Sequence, residues 1–284
     1  MKKILLIIAS ALLLLTGCSD AHAKVNNPTE EIIKIGNKSI TKEEVYNNLL
    51  TNYGSYFTIT DATDKILDAE IEITDEMREE ANSAIETYKA FYLEQWEEFL
   101  SYYGYSNEDE FINSIIRGER LTKLTENYVY DQWDDLMDSY NPKKAIVLSF
   151  TDSDMANAAL VELKKGTDPQ EVATAYASSL SGSSEIITSE STYTTDVMAI
   201  VNTASINDDY AMIPSTDGVT TYIVKVEETD PNNIQEEVAS SLASYDSIQI
   251  AADEYYFRKY DFTIYDKTLY DDIKANYSNY VVQK

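Results

Sequence analysis

The chain is poor in the residues that most enzymes use at their centres. Among 284 residues there is one cysteine, Cys18, and one histidine, His22, four positions apart near the start. One cysteine excludes an intrachain disulfide. One histidine outside any patterned segment removes Ser/His/Asp and Cys/His catalysis, and it leaves no ligand set for an ordinary zinc site. Glycine is scarce too, at eight residues, and no Gly-x-x-x-x-Gly-Lys phosphate loop occurs. Basic residues are outnumbered, 22 Lys and Arg against 50 Asp and Glu, for a formal charge of −28. Nucleic acid is therefore not an expected partner, because its binding needs a basic face. The acidic pairs Asp134/Asp135, Asp152/Asp154 and Asp208/Asp209 lack the twelve-residue spacing of a calcium loop and read as solvated surface. No metal and no cofactor is expected.

What is present is apolar residues at 44%, enough for a packed core, and 23 tyrosines, which bring apolar area with a polar tip. The length allows two or three small domains. Met1-Lys2-Lys3 is a basic start, and Ile4–Leu15 is an apolar run too short to span a bilayer of about 30 Å. Leu15-Thr16-Gly17-Cys18 follows. This is a secretory signal over 1–17 whose ending resembles the bacterial lipobox. The resemblance implies cleavage before Cys18 and acylation of its sulfur and new amine, with two or three chains giving firm anchoring. Residues 18–29 then read as a tether.

Ile32–Gly36 reads as a strand ending in a Gly36-Asn37 turn, and Thr41-Lys42-Glu43-Glu44 as a capping box opening a helix. Thr51–Asp75 reads as an irregular connection. From Thr74 a stripe of Met77, Ala81, Ile85, Tyr88, Tyr92, Trp96, Phe99 and Tyr103 predicts one long helix ending at Gly104. This stripe is either core or a client-binding groove. Ser106 is expected to cap another helix, with a last one over about 119–138. Asn141-Pro142 marks a boundary.

Beyond it, Ala145–Phe150 reads as a strand, Asp152 as the cap of a helix stopped at Lys164-Lys165-Gly166, and Asp168-Pro169 as the start of another. Leu180–Tyr193 reads as loop, Asp217-Gly218 as a turn, and Val219–Val226 as the closing strand. After Pro231 the chain is helical, except that Lys259–Lys267 reads as a strand leading into a last helix.

Residues 141–230 resemble a parvulin-type (PpiC-like) peptidyl-prolyl isomerase domain in the first strand, the Leu163–Tyr176 passage and the closing Thr220-Thr221-Tyr222-Ile223-Val224-Lys225-Val226. The family's first histidine falls at Ala145 or Ile146 and its second at Tyr222. Its Gly-Gly-Asp-Leu-Gly-Trp strand has no counterpart, with only Gly182 and Gly218 between Ser178 and Val226. The flanks resemble the PrsA/SurA family of extracytoplasmic foldases. The resemblance implies an α+β protein in which 30–140 and 231–284 form a mainly helical chaperone domain with a small α/β domain inserted at 141–230. It implies a return of Thr263-Ile264 to pair with Ile33–Ile35. It also implies a membrane-anchored folding factor whose partners are unfolded or newly secreted polypeptides and, through the lipid on Cys18, the membrane. With the histidines replaced, no catalytic residue is assigned. Ala145, Ile146, Tyr222 and Met198 are degenerate isomerase positions, Met198 as part of an apolar pocket. Two alternatives stand beside this: a lipid-anchored binding or assembly protein for one dedicated partner, and an active isomerase that works through pocket shape.

Overall fold

The structure, a computed structural model, describes residues 25–216 and 218–283. It is mainly helical with two small antiparallel sheets, the α+β class expected. The chain divides into two compact units. One combines the residues up to Thr125 with those from Asp246 on, and the other is Glu126–Tyr245. The inserted unit thus extends beyond 141–230 at both ends.

The discontinuous unit opens with a hairpin of β1 (Glu31–Ile35) and β2 (Lys38–Thr41). Gly36 at φ 62° supplies the two-residue turn between them. The hairpin corrects the expected pairing of Ile33–Ile35 with Thr263-Ile264, since β1's neighbour is the strand that follows it. Residues 262–266 are not a strand. The Ile264 N–H donates to Gln283 Oε1 at 2.5 Å, and Asp266 instead caps the next helix by accepting from the Leu269 N–H.

Thr41 caps α1 (Lys42–Glu70) with a full capping box: the Glu44 N–H donates to Thr41 Oγ1, and the Thr41 N–H to Glu44 Oε2. Helix α1 runs unbroken as far as Glu70, through most of the stretch expected to be irregular. The reason is its inward face, where Ser55, Ile59, Thr63, Ile66 and Leu67 are buried at helical spacing with polar members that blur an apolar stripe. Gly54 belongs to this face; a Cβ there would lie 2.8 Å from the Leu269 side chain.

The expected long helix is two helices. Thr74 caps α2 (Asp75–Tyr92), Leu93 turns the chain at φ 47°, and α3 (Trp96–Tyr102) follows a short 3₁₀ turn. The apolar spacing carries across the break, so the stripe hides it. Conversely, the two helices expected over 106–138 are α4 (Glu108–Asp131) followed by the short α5 (Trp133–Tyr140). Asn107, not Ser106, supplies the cap, its side chain accepting from the Glu110 N–H at 2.9 Å. The unit is completed by α10 (Asp246–Lys259) and α11 (Lys267–Asn276), which lie beyond the inserted unit's last helix α9 (Gln235–Ala243).

The inserted unit is built on a sheet in the order β4-β3-β6-β5, all antiparallel. Its strands are β3 (Lys143–Phe150), β4 (Ser184–Ile187), β5 (Ala211–Pro214) and β6 (Thr221–Glu228). Strand β4 lies within the Ser-rich stretch expected to be loop, and its Ser-Glu-Ile-Ile sequence is too short to show alternation. Alternation along β3 sends Ile146, Leu148 and Phe150 to one face against α6 (Ser153–Lys164) and α7 (Pro169–Ala175). It sends Ala145 and Val147 to the other face, with Val224 and Val226 of β6, against α8 (Thr195–Thr203). Thr194 caps α8, a helix the sequence reading passed over. No helix among the described residues is long and apolar enough to cross a membrane.

Candidate functional site

Two surfaces, one in each unit, have the character of binding sites. In the inserted unit a cleft of about 680 Å³ opens at the β3–β6 end of the α8 face. The register sets Ser149 of β3 opposite Tyr222 of β6, and both line it. Glu185 and Ile186 reach it from β4, Glu190 to Thr194 from the following loop, and Tyr245 from the residues after α9.

The walls are fixed by hydrogen bonds. The Ser149 N–H donates to Ser178 Oγ at 3.0 Å and the Ser179 N–H to the Ser149 carbonyl at 2.8 Å, which holds the segment after α7 against the strand end. The Ser189 N–H donates to the Tyr140 carbonyl at 2.8 Å, and the Thr188 N–H to Ser191 Oγ at 2.9 Å. Tyr245 and Thr188 share a hydroxyl–hydroxyl bond of 3.0 Å. The Tyr193 hydroxyl donates to Glu185 Oε1 at 2.5 Å. Burial, followed by the adjacent Glu185 carboxylate, pushes the Tyr193 hydroxyl far above the usual phenol range. Tyr193 is therefore held as a hydrogen-bond donor to Glu185.

The degenerate isomerase positions distribute unevenly about this cleft. Tyr222 lines it. Met198, on α8, packs partly buried against the same apolar cluster as Tyr222 and the fully buried Ala145. Ile146 points to the opposite face, against α6 and α7. Ala145 pairs with Val226, four residues along β6 from Tyr222, which is about 14 Å at the rise of about 3.4 Å per residue. The residue facing Tyr222 across the ladder is Ser149, which sequence reasoning missed; only the strand register reveals it. The cleft offers hydroxyls, phenol rings and carboxylates.

The second surface surrounds the α2–α3 corner. Trp96, Phe99, Leu100 and Phe111 form a buried cluster with Ile85. Within it Trp96 and Phe99 stack at 5.3 Å, and Phe99 meets Tyr92 at 4.4 Å. Around this core Phe91, Leu93, Tyr102 and Tyr103 stand in solvent at 78%, 71%, 82% and 59% exposure. A hollow of about 300 Å³ lies between Tyr92, Phe99, Tyr102 and Tyr103. The aromatic stripe is thus both core and surface: Trp96 and Phe99 are buried, while Tyr88 and Tyr103 are exposed. In the hairpin, Ile32, Ile33 and Ile35 are exposed as well.

Among the described residues no group of three or more His, Cys, Asp or Glu is placed to hold a metal ion. Cys18 lies outside the described residues.

No protein-family model matches the chain, and no curated protein matches it. Among solved structures the chain is similar to the peptidylprolyl isomerase PrsA from Bacillus cereus, at 18% identity and a TM-score of 0.49, covering 87% of this chain and 98% of that one. It is similar to the foldase protein PrsA from Streptococcus pneumoniae at 14% identity and a TM-score of 0.46, covering 88% and 99%. It is similar to PrsA from Bacillus subtilis at 18% identity and a TM-score of 0.42, again covering 88% and 99%.

Proposed function

We propose that this chain is an extracytoplasmic folding factor, anchored to the bacterial membrane through lipid on Cys18, that holds unfolded or newly secreted polypeptides. The observation that carries the reading is the exposed aromatic surface at the α2–α3 corner. Large rings held in water on a packed aromatic base cost solubility, and contiguous exposure of this kind marks an interaction surface. An unfolded chain offers the apolar side chains that would cover it. The high negative charge keeps such a sticky protein soluble. The lipobox at Leu15–Cys18 supports the anchor and the compartment.

In this reading the inserted unit binds polypeptide with little or no isomerase catalysis. Amide rotation has a barrier of about 18–20 kcal/mol, and lowering it requires a pocket that favours the twisted amide over the planar one. The resemblance places its histidines at Ala145 or Ile146 and at Tyr222, whereas across the ladder Tyr222 faces Ser149.

The test is suppression of aggregation of a reduced, unfolded secreted protein. Combined Phe91→Ser, Tyr102→Ser and Tyr103→Ser changes remove exposed rings and are expected to abolish suppression with the thermal midpoint unchanged. Full suppression by that variant would refute the assignment. Cys18→Ser in cells is expected to release the protein from the membrane fraction. Stoichiometric capture of a single envelope protein, without general suppression, would favour a dedicated partner instead.

A further inference from the structure

We infer that the cleft of the inserted unit selects extended polypeptide segments carrying an arginine or lysine. The inference rests on the reading of that unit as a polypeptide-binding module and adds to it a charge preference. Two carboxylates, Glu185 and Glu190, line the cleft, together with the rings of Tyr193, Tyr222 and Tyr245. No cation does. The basic residues of the inserted unit are Lys143, Lys144, Lys164, Lys165 and Lys225, and each is engaged elsewhere. Lys143 donates to the Asn202 carbonyl at 3.1 Å, and Lys144 pairs with Glu237 at 2.6 Å. Lys164 pairs with Asp209 at 3.4 Å, Lys165 with Glu162 at 2.7 Å, and Lys225 lies over the Tyr210 ring at 5.0 Å. The acid in the cleft is therefore left uncompensated by its own unit.

The chemistry of the walls fits a guanidinium or ammonium on a polypeptide. Such a group is drawn by the carboxylates and by the faces of tyrosine rings. The serine and threonine hydroxyls around the cleft can satisfy the backbone amides of an extended segment. Tyr193 occupies one oxygen of Glu185, which fixes the orientation of that carboxylate and leaves its other oxygen to accept. The volume admits a few residues, a motif and not a domain. An acidic segment would meet like charge with nothing to offset it.

The experiment is fluorescence anisotropy with the full chain in detergent and three labelled peptides of one Ala-Xaa-Pro-Ala core, with Xaa arginine, leucine or glutamate. Arginine is expected to bind about tenfold more tightly than leucine, from one ion pair and one ring contact, and glutamate more weakly than both. Glu190→Gln, which leaves the Tyr193–Glu185 bond intact, is expected to reduce the preference severalfold without moving the thermal midpoint. Glu185→Gln combined with Glu190→Gln should remove it. Asp154→Asn, at the start of α6 and away from the cleft, makes the same charge change and should leave it. Equal binding of the three peptides would overturn the charge preference while leaving the polypeptide-binding reading in place. Failure of all three to bind would overturn both. An equal loss of preference in Asp154→Asn would assign the effect to overall charge and overturn the site.

Discussion

Two arginines on α4 reach aspartates on α1, and the structure predicts very different consequences for removing them. Arg117 meets Asp64 at 2.6 Å with both side chains partly in water, 37% and 47% exposed. Arg120 donates to Asp68 at 2.9 Å and also, through Nε, to the Ile71 carbonyl at 3.1 Å. Ile71 is the C-cap residue just after α1, so this carbonyl is one that the helix itself leaves without a partner. The Arg120 side chain is only 10% exposed. In Arg120→Ala the carbonyl loses its donor inside the protein, a cost of about 1–3 kcal/mol. The buried methylenes of the stem contribute about 0.8 kcal/mol each. The bond to Asp68, a carboxylate largely in water, contributes little. Together these give about 3 kcal/mol, or about 6–12 °C in the midpoint of a unit of this size. Arg117→Ala should cost under about 1 kcal/mol, because exposed pairs are screened. Arg120→Met keeps the stem and loses the donors, so it should fall between. Each unit contains one of the two tryptophans, Trp96 and Trp133. A Trp133→Phe background therefore leaves Trp96 fluorescence as the reporter of this unit alone in urea unfolding. A cost for Arg117→Ala equal to that of Arg120→Ala would refute the argument that the carbonyl, and not the ion pair, holds this junction.

Other tests address different terms. Asp253 is partly buried, and this desolvation raises its carboxyl above the ordinary 3.8, while the Tyr280 hydroxyl donating at 2.6 Å partly opposes the rise. A raised carboxyl favours the folded state while it is protonated, so its contribution is present in acid and is lost as pH climbs through the raised value. Asp253→Asn should therefore be neutral near pH 3 and stabilising near pH 7 in urea titrations, unless the desolvation argument is wrong, in which case the difference will not vary with pH. Gly182 sits at φ 71°, with the place of a Cβ 2.5 Å from the Pro169 carbonyl oxygen. Gly182→Ala should cost more than about 2 kcal/mol, against about 1 for Gly166→Ala, which has φ 89° and open space; equal costs by thermal melting would dismiss the backbone clash. In a coupled assay on an X-Pro peptide, both the intact chain and Tyr222→His should turn over near the uncatalysed rate, since Ser149 faces that position; a parvulin-like rate for either would restore an enzyme reading.

The local signals in the sequence proved reliable where one residue does one job. Thr41, Thr74, Asp152 and Asp168 cap helices by accepting the backbone N–H groups that the first turn leaves unbonded. Gly36, Gly104, Gly166 and Gly218 each adopt the positive φ that their turns require. Periodicity was less informative about continuity. The stripe from Met77 to Tyr103 keeps its spacing through the reversal at Leu93, and α1 is continuous although Ser55 and Thr63 occupy its inward face. Periodicity reports which residues face the core; whether the backbone breaks depends on φ at single positions, and leucine gives no warning of a positive φ.

The cleft was the least legible part because it is a product of register. Ser149 and Tyr222 are far apart in sequence, and neither stands out among the serines and tyrosines of this chain. They face each other because β3 and β6 pair in one alignment, and a slip of one residue would turn Tyr222 to the other face. Histidine positions could be transferred from a resemblance along each strand separately, but nothing in either strand fixes which rungs meet. Ladder pairing aligns Ala145 with Val226, so the transferred pair is separated along the sheet while a serine stands opposite the tyrosine. Whatever this surface does, it does with hydroxyls, rings and two carboxylates. Those groups are suited to hydrogen bonding and charge recognition, which is the basis of the binding role proposed for this unit.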